Sequence, residues 1–73
     1  MDESDQMIDV TATMTEEVAL QLAQFCKRST YNIFYDLTEA HLSPDERKRC
    51  AYQMISGIEA VQAALTNAGF APR

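Results

Sequence analysis

The first pattern along the chain is a strict alternation of apolar and polar residues near the N-terminus. Apolar side chains occupy every second position: Ile8, Val10, Ala12 and Met14. A period of two is typical of a half-buried β-strand, and it predicts a strand over residues 7–14. No later stretch repeats the pattern, so we expect this strand to pair with the same segment of a second copy in a homodimer.

After the strand the apolar spacing lengthens, which predicts helices for the rest of the chain. Thr15 is a favourable N-cap residue, and Glu16 and Glu17 complement the positive end of a helix dipole. The first helix is expected to end near Arg28, where a cation is favoured. Its predicted apolar face contains Val18, Leu22, Phe25 and Cys26.

Residues 29–42 leave two alternatives open. Either Ser29 or Thr30 caps a short second helix, or the first helix continues through the segment. We favour a break because the segment is rich in middling helix formers. The interpretation therefore allows two or three helices.

A long last helix is predicted from Ser43 to the region of Gly69. Ser43 and Glu46 form a capping-box pair around Pro44, which suits the first helical turn. Gly69 suits the position after the helix, with Phe70 folding back on it. An interior Gly57 indicates a close crossing with another helix. The apolar positions are Ala51, Met54, Ile55, Ile58, Val61, Leu65 and Ala68.

The predicted fold class is mainly α, with one N-terminal β-strand followed by two or three helices. We expect a disordered acidic tail over residues 1–6 and a single small helical domain over residues 7–73. A core of this size supplies roughly 3 to 5 kcal/mol of net stability, so association with a second copy would help the chain stay folded.

Charge is unevenly distributed along the chain, whose formal net charge is -5. Residues 1–17 contain six acidic residues and no lysine or arginine. Acidity argues against direct nucleic-acid binding, because basic residues supply most of that affinity. The acidic stretch is interpreted as a solvated tail, with imitation of phosphate as the alternative. The N-terminus lacks a secretory pattern, and no apolar run reaches a membrane span, so we expect a cytoplasmic protein.

No catalytic chemistry is indicated by the sequence. Cys26, Cys50 and His41 lack the spacing of a metal site, and both cysteines are expected to be reduced. The chain has only two glycines, so it offers no glycine-rich phosphate loop. We therefore expect neither an enzyme nor a bound cofactor or metal.

Candidate partner-binding residues lie around the end of the first helix. Tyr31 and Tyr35 are one helical turn apart and follow Arg28 closely. Tyrosine and arginine are common anchors of protein interfaces, so these three residues are predicted to contact a protein partner. The alternative is that the tyrosines complete the core.

Two strings carry a resemblance to a family. "MTEEVALQLAQFCKR" and "AALTNAGFAPR" make residues 10–73 similar to short phage and prophage proteins of unknown function, although the middle segment departs from their pattern. The resemblance implies a bacterial cytoplasmic setting and an accessory phage role. The expected function is non-catalytic binding of a host protein, in its sharpest form as an anti-CRISPR-like inhibitor.

Two other functions are carried as alternatives. A strand followed by helices is similar to ribbon-helix-helix transcriptional regulators, which insert a dimeric ribbon into DNA. The outward residues of this strand would be Asp9, Thr11 and Thr13, which lack the basic or amide groups of those regulators. The third possibility is a structural or assembly subunit.

Overall fold

The structure is a computed structural model that describes residues 6–70. Three helices form within this range: α1 (Glu16–Arg28), α2 (Tyr31–Asp36) and α3 (Pro44–Asn67). Both shorter helices pack against the long α3, so α3 is the axis of the fold. None of the described helices has the length and hydropathy needed to cross a bilayer.

Polar caps begin α1 and α3 as the sequence predicts. The Thr15 hydroxyl accepts a hydrogen bond from the Val18 backbone N–H at 3.2 Å. The Ser43 hydroxyl accepts one from the Glu46 N–H at 3.3 Å, with Pro44 at the first helical position. Each cap satisfies a backbone donor that has no partner inside the helix.

The break between α1 and α2 is confirmed. Ser29 and Thr30 both have extended backbones, with ψ of 138° and 162°. The Ser29 N–H and hydroxyl both donate to the Phe25 carbonyl, at 3.0 and 2.6 Å. These bonds satisfy a carbonyl in the last turn of α1 and direct the chain into a separate helix.

The predicted end of α3 is also confirmed. Gly69 has a φ of +96°, in the region that favours glycine. The Phe70 N–H donates to the Leu65 carbonyl at 2.8 Å, and the Gly69 N–H donates to the Thr66 carbonyl at 3.0 Å. This pair of bonds is a Schellman motif, and the Phe70 ring packs on the cluster that contains Leu65.

The buried face of α1 differs from the predicted one. Ala19, Ala23 and Cys26 are buried, whereas Val18 and Phe25 are about half exposed. Ala19 and Ala23 cluster with Leu65 near the end of α3, so α1 runs antiparallel to α3. Alanines allow the two helices to approach closely, which leaves the larger apolar side chains at the margins of the contact.

The N-terminal strand is not seen, which corrects the predicted fold class. Residues 6–15 form neither strand nor helix. A strand needs a neighbouring strand for its backbone hydrogen bonds, and the described part of this single chain contains none. Pairing with a second copy is untested and stays a prediction. Residues 1–5 of the predicted tail lie outside the described range.

Candidate functional site

An open apolar groove lies at the C-terminal end of α3, and we call it the terminal groove. One wall is the N-terminal segment between Ile8 and Glu16, and the other is formed by α1, α3 and Phe70. Its volume is about 910 Å³. The α3 wall consists of small or apolar residues: Gly57, Ala60, Val61, Ala64, Leu65 and Ala68.

All four residues of the predicted dimer strand line the terminal groove. Ile8, Val10, Ala12 and Met14 contribute to the same wall, yet none of them is buried. Ile8 is 82% exposed and Val10 is 80% exposed. The structure therefore places the predicted residues along one surface, together with Asp9 and Thr13. Ile8 and Val10 are largely in contact with solvent, whereas Met14 is 37% exposed.

Gly57 has a different environment from the one predicted. A Cβ atom at this position would meet no atom within 4 Å, so no helix of the described chain crosses closely there. The residue lies on the wall of the terminal groove. The space above it is open to a second molecule.

The charged residues that line the terminal groove are both acidic. Within residues 6–70, Asp9 and Glu16 are the only charged side chains in its lining, and the other lining residues are apolar or carry hydroxyl groups. Such a lining offers mainly apolar contact area.

A row of side chains in ring contact lies on the other half of the molecule, where α2 packs against α3. The Arg47 guanidinium lies 4.4 Å from the centre of the Tyr35 ring. The Tyr35 and Tyr31 rings are 5.9 Å apart, and the Tyr31 and Tyr52 rings are 5.4 Å apart. We call these four residues, Arg47, Tyr35, Tyr31 and Tyr52, the tyrosine row.

Arg47 fastens the end of α2 to α3. Its Nε atom donates to the Thr38 hydroxyl at 2.8 Å, and Nη2 donates to the Tyr35 carbonyl at 3.2 Å. The Thr38 hydroxyl donates to the same carbonyl at 2.6 Å. One arginine thus joins a ring, a hydroxyl and a helix-terminal carbonyl. Sequence reasoning missed Arg47 and Thr38, because their nine-residue separation follows no helical period.

The predicted partner-binding residues fall around the tyrosine row. Arg28 is exposed at the end of α1, three positions before α2 begins, while Tyr31 and Tyr35 are half-buried within the row. Tyr52 is the more open ring, at 53% exposure. Beside Tyr31, a small pocket of about 260 Å³ lies between the three helices. The two tyrosines therefore both pack against neighbouring side chains and reach the surface.

No metal centre is indicated within residues 6–70. Among them, no group of three histidine, cysteine or acidic side chains is placed to hold an ion. Cys26 is buried and Cys50 is partly buried, and both thiols are free. His41 is exposed and its Nε2 lies 3.8 Å from a Glu39 carboxylate oxygen. Cys26, Cys50 and His41, which the sequence analysis considered as metal ligands, are therefore not grouped around a common site.

Comparison with known proteins identifies a family without giving a function. No curated protein and no solved structure matches the chain significantly. One family model matches residues 1–73, and its description is a family of unknown function, DUF7706. The match shows no phage origin, so that part of the sequence resemblance stays a prediction. The chain belongs to the DUF7706 family over its whole length.

Proposed function

We propose that this chain is a non-catalytic binding protein that attaches to a host protein through the tyrosine row and Arg28. The observation that carries the proposal is the row itself, whose tilted rings contact one another in sequence and end at the half-exposed Tyr52. Tyrosine and arginine supply large contact areas and hydrogen-bond donors, and they are enriched among the residues that dominate interface energies.

The rigidity of the row also supports the proposal. Arg47 and Thr38 each donate a hydrogen bond to the Tyr35 carbonyl, and Arg47 also lies over the Tyr35 ring, which in turn contacts Tyr31. Side chains that are already ordered lose less conformational entropy on binding. The exposed guanidinium of Arg28 and the phenol groups favour a partner surface that carries carboxylates.

The finer form of this proposal is an accessory phage protein that blocks a host defence protein. It rests on the resemblance of "LAQFCKR" and "AGFAPR" to phage proteins and on the absence of recognisable catalytic motifs from the sequence. A ribbon-helix-helix regulator and an assembly subunit remain the alternatives, and the experiment below separates them.

The test is capture of the tagged full chain after cross-linking in the host bacterium. We expect one protein at a one-to-one ratio with wild type. Tyr52→Ala and Arg28→Ala should lower its recovery at least tenfold, while Val61→Ala, which changes the terminal groove instead, should not.

Three results would contradict the proposal. The first is equal recovery of the partner with the Tyr52 and Arg28 variants. The second is a salt-sensitive shift of operator DNA without a protein partner, which would favour the regulator. The third is a large oligomer of this chain alone, which would favour the assembly subunit.

A further inference from the structure

The N-terminal segment carries the most exposed large apolar side chains of the described chain. Met7, Ile8 and Val10 are 93%, 82% and 80% exposed, the highest values among the large apolar residues described. Their backbone is in neither helix nor strand. Apolar side chains and unpaired backbone groups in one segment are the features that lead a strand edge to pair with another chain.

The described chain has a thin core. Its shortest dimension is 15 Å, which accommodates at most two packed helices. No large side chain among residues 6–70 is fully buried. A second molecule over the terminal groove would give Leu22, Val61 and Phe70 the cover that the described chain alone does not provide.

We propose that the occupant of this surface is a second copy of the chain. Residues 8–14 of the two copies pair as antiparallel strands across a two-fold axis, and the resulting ribbon covers both terminal grooves. This contact is separate from the tyrosine row, so it does not depend on the proposed host partner.

The alternating pattern fixes the register of the ribbon. Residues directly opposite each other in a sheet have their side chains on the same side of it. The apolar residues of the segment are all even-numbered, so each must lie opposite an even-numbered residue of the second copy. Centring the pair on Thr11 places Ile8 opposite Met14 of the second copy and Val10 opposite Ala12 of the second copy. Every apolar residue from 8 to 14 then has an apolar neighbour.

The same register separates the like charges. Asp9 lies opposite Thr13 of the second copy, so the two Asp9 positions are about 14 Å apart along the ribbon. At that distance the repulsion is modest and is largely screened at physiological ionic strength. The affinity of the dimer should therefore increase modestly as salt is added. A dimer held together by opposite charges would instead weaken with salt.

The segment is accessible for pairing along its whole length, since residues 6–15 are all exposed. A standard interface buries roughly 800 Å² on each partner, so the contact has to include the terminal groove as well as the ribbon. The open space above Gly57 allows the ribbon to approach α3 without a clash at that position.

Cross-linking tests the register directly. In the Thr11→Cys variant the two sulfur-bearing residues lie opposite each other, with Cα atoms about 4.5 to 5.5 Å apart, which permits a disulfide. In the matched Thr13→Cys variant the corresponding distance is about 14 Å, which is too long. We expect a covalent dimer from the first variant and at least tenfold less from the second, with peptide mapping excluding links to Cys26 and Cys50.

Sedimentation of the full chain at micromolar concentration gives the second measurement. Wild type should be a dimer, and Val10→Pro or Thr11→Pro should shift it to monomer, because neighbouring N–H groups point to opposite strand edges and one of them must be in the ladder. A stable wild-type monomer, a dimer weakened by salt, or equal cross-linking of the two cysteine variants would overturn the proposal.

Discussion

The two ends of α3 are covered in different ways. Where α2 packs on its first half, Arg47 and Thr38 make directional hydrogen bonds, and Phe34 is buried. Where α1 packs on its second half, Ala19 and Ala23 make the contact, and the terminal groove stays open. Directional hydrogen bonds fix the position of α2 on α3, whereas the alanine contacts require only that α1 and α3 lie close together. The specific contacts therefore hold the tyrosine row, and the apolar area is left for association.

Phenylalanine truncation gives the largest contrast between a buried and an exposed side chain. Phe34 is 6% exposed and Phe25 is 50% exposed. Phe34→Ala should cost about 3 kcal/mol of unfolding free energy, because it leaves a cavity in a small core. Phe25→Ala should cost less than about 1 kcal/mol. Urea unfolding followed by far-UV circular dichroism measures both, and equal losses would contradict the assignment of Phe34 to the core.

Removal of the Arg47 side chain should have the next largest effect. Arg47→Ala should lower the unfolding free energy by about 2 kcal/mol, because two hydrogen bonds and the ring contact are lost together. Arg47→Lys keeps the charge but not the planar fork, so we expect it to recover only part of this loss. The exposed Arg49 serves as the control, and Arg49→Ala should change stability by less than about 0.5 kcal/mol. Thermal unfolding at matched concentration checks the order.

The two glycines should respond to alanine with opposite signs. Gly69→Ala should cost about 1 kcal/mol, because its φ of +96° is strained for any residue with a Cβ. Gly57→Ala should raise stability by up to about 1 kcal/mol, because alanine favours helix and meets no atom within 4 Å. Chemical unfolding of both variants is the measurement. Destabilisation by Gly57→Ala would show that the terminal groove is more closely packed than the structure has it.

Local signals predicted the helices well. Thr15, Ser43 and Gly69 act through bonds within a few residues, so their caps could be recognised from sequence spacing. The strand could not be placed with the same success, because its hydrogen bonds require another strand and the described chain offers none. Whether a second copy supplies it depends on association, which periodicity alone does not determine.

The sequence did not predict how the helices pack on one another or which side chains that packing brings together. Arg28, Tyr31 and Tyr35 were chosen for their residue types, but the support of Tyr35 by Arg47 depends on how α2 lies on α3. The buried face of α1 was assigned to its larger side chains, whereas alanines make the contact. Residue size and hydrophobicity predict a tendency to be buried. The way the helices pack decides which side chains are actually buried.

The smallest expected effect on the folding of a single chain is at Ile8. Substitution there should affect self-association much more than folding. Ile8→Ser should change the unfolding free energy of the monomer by less than about 0.5 kcal/mol, because the side chain is 82% exposed. The same change should weaken the proposed dimer about tenfold, since Ile8 would pack against Met14 of the second copy. Leu37, which is 68% exposed on the α2 side, is the matched control, and Leu37→Ser should leave association unchanged. Unfolding at low concentration and sedimentation at micromolar concentration separate the two quantities. If Leu37→Ser weakened the dimer as much as Ile8→Ser, self-association would not be confined to the groove end, and the division between the two ends would fail.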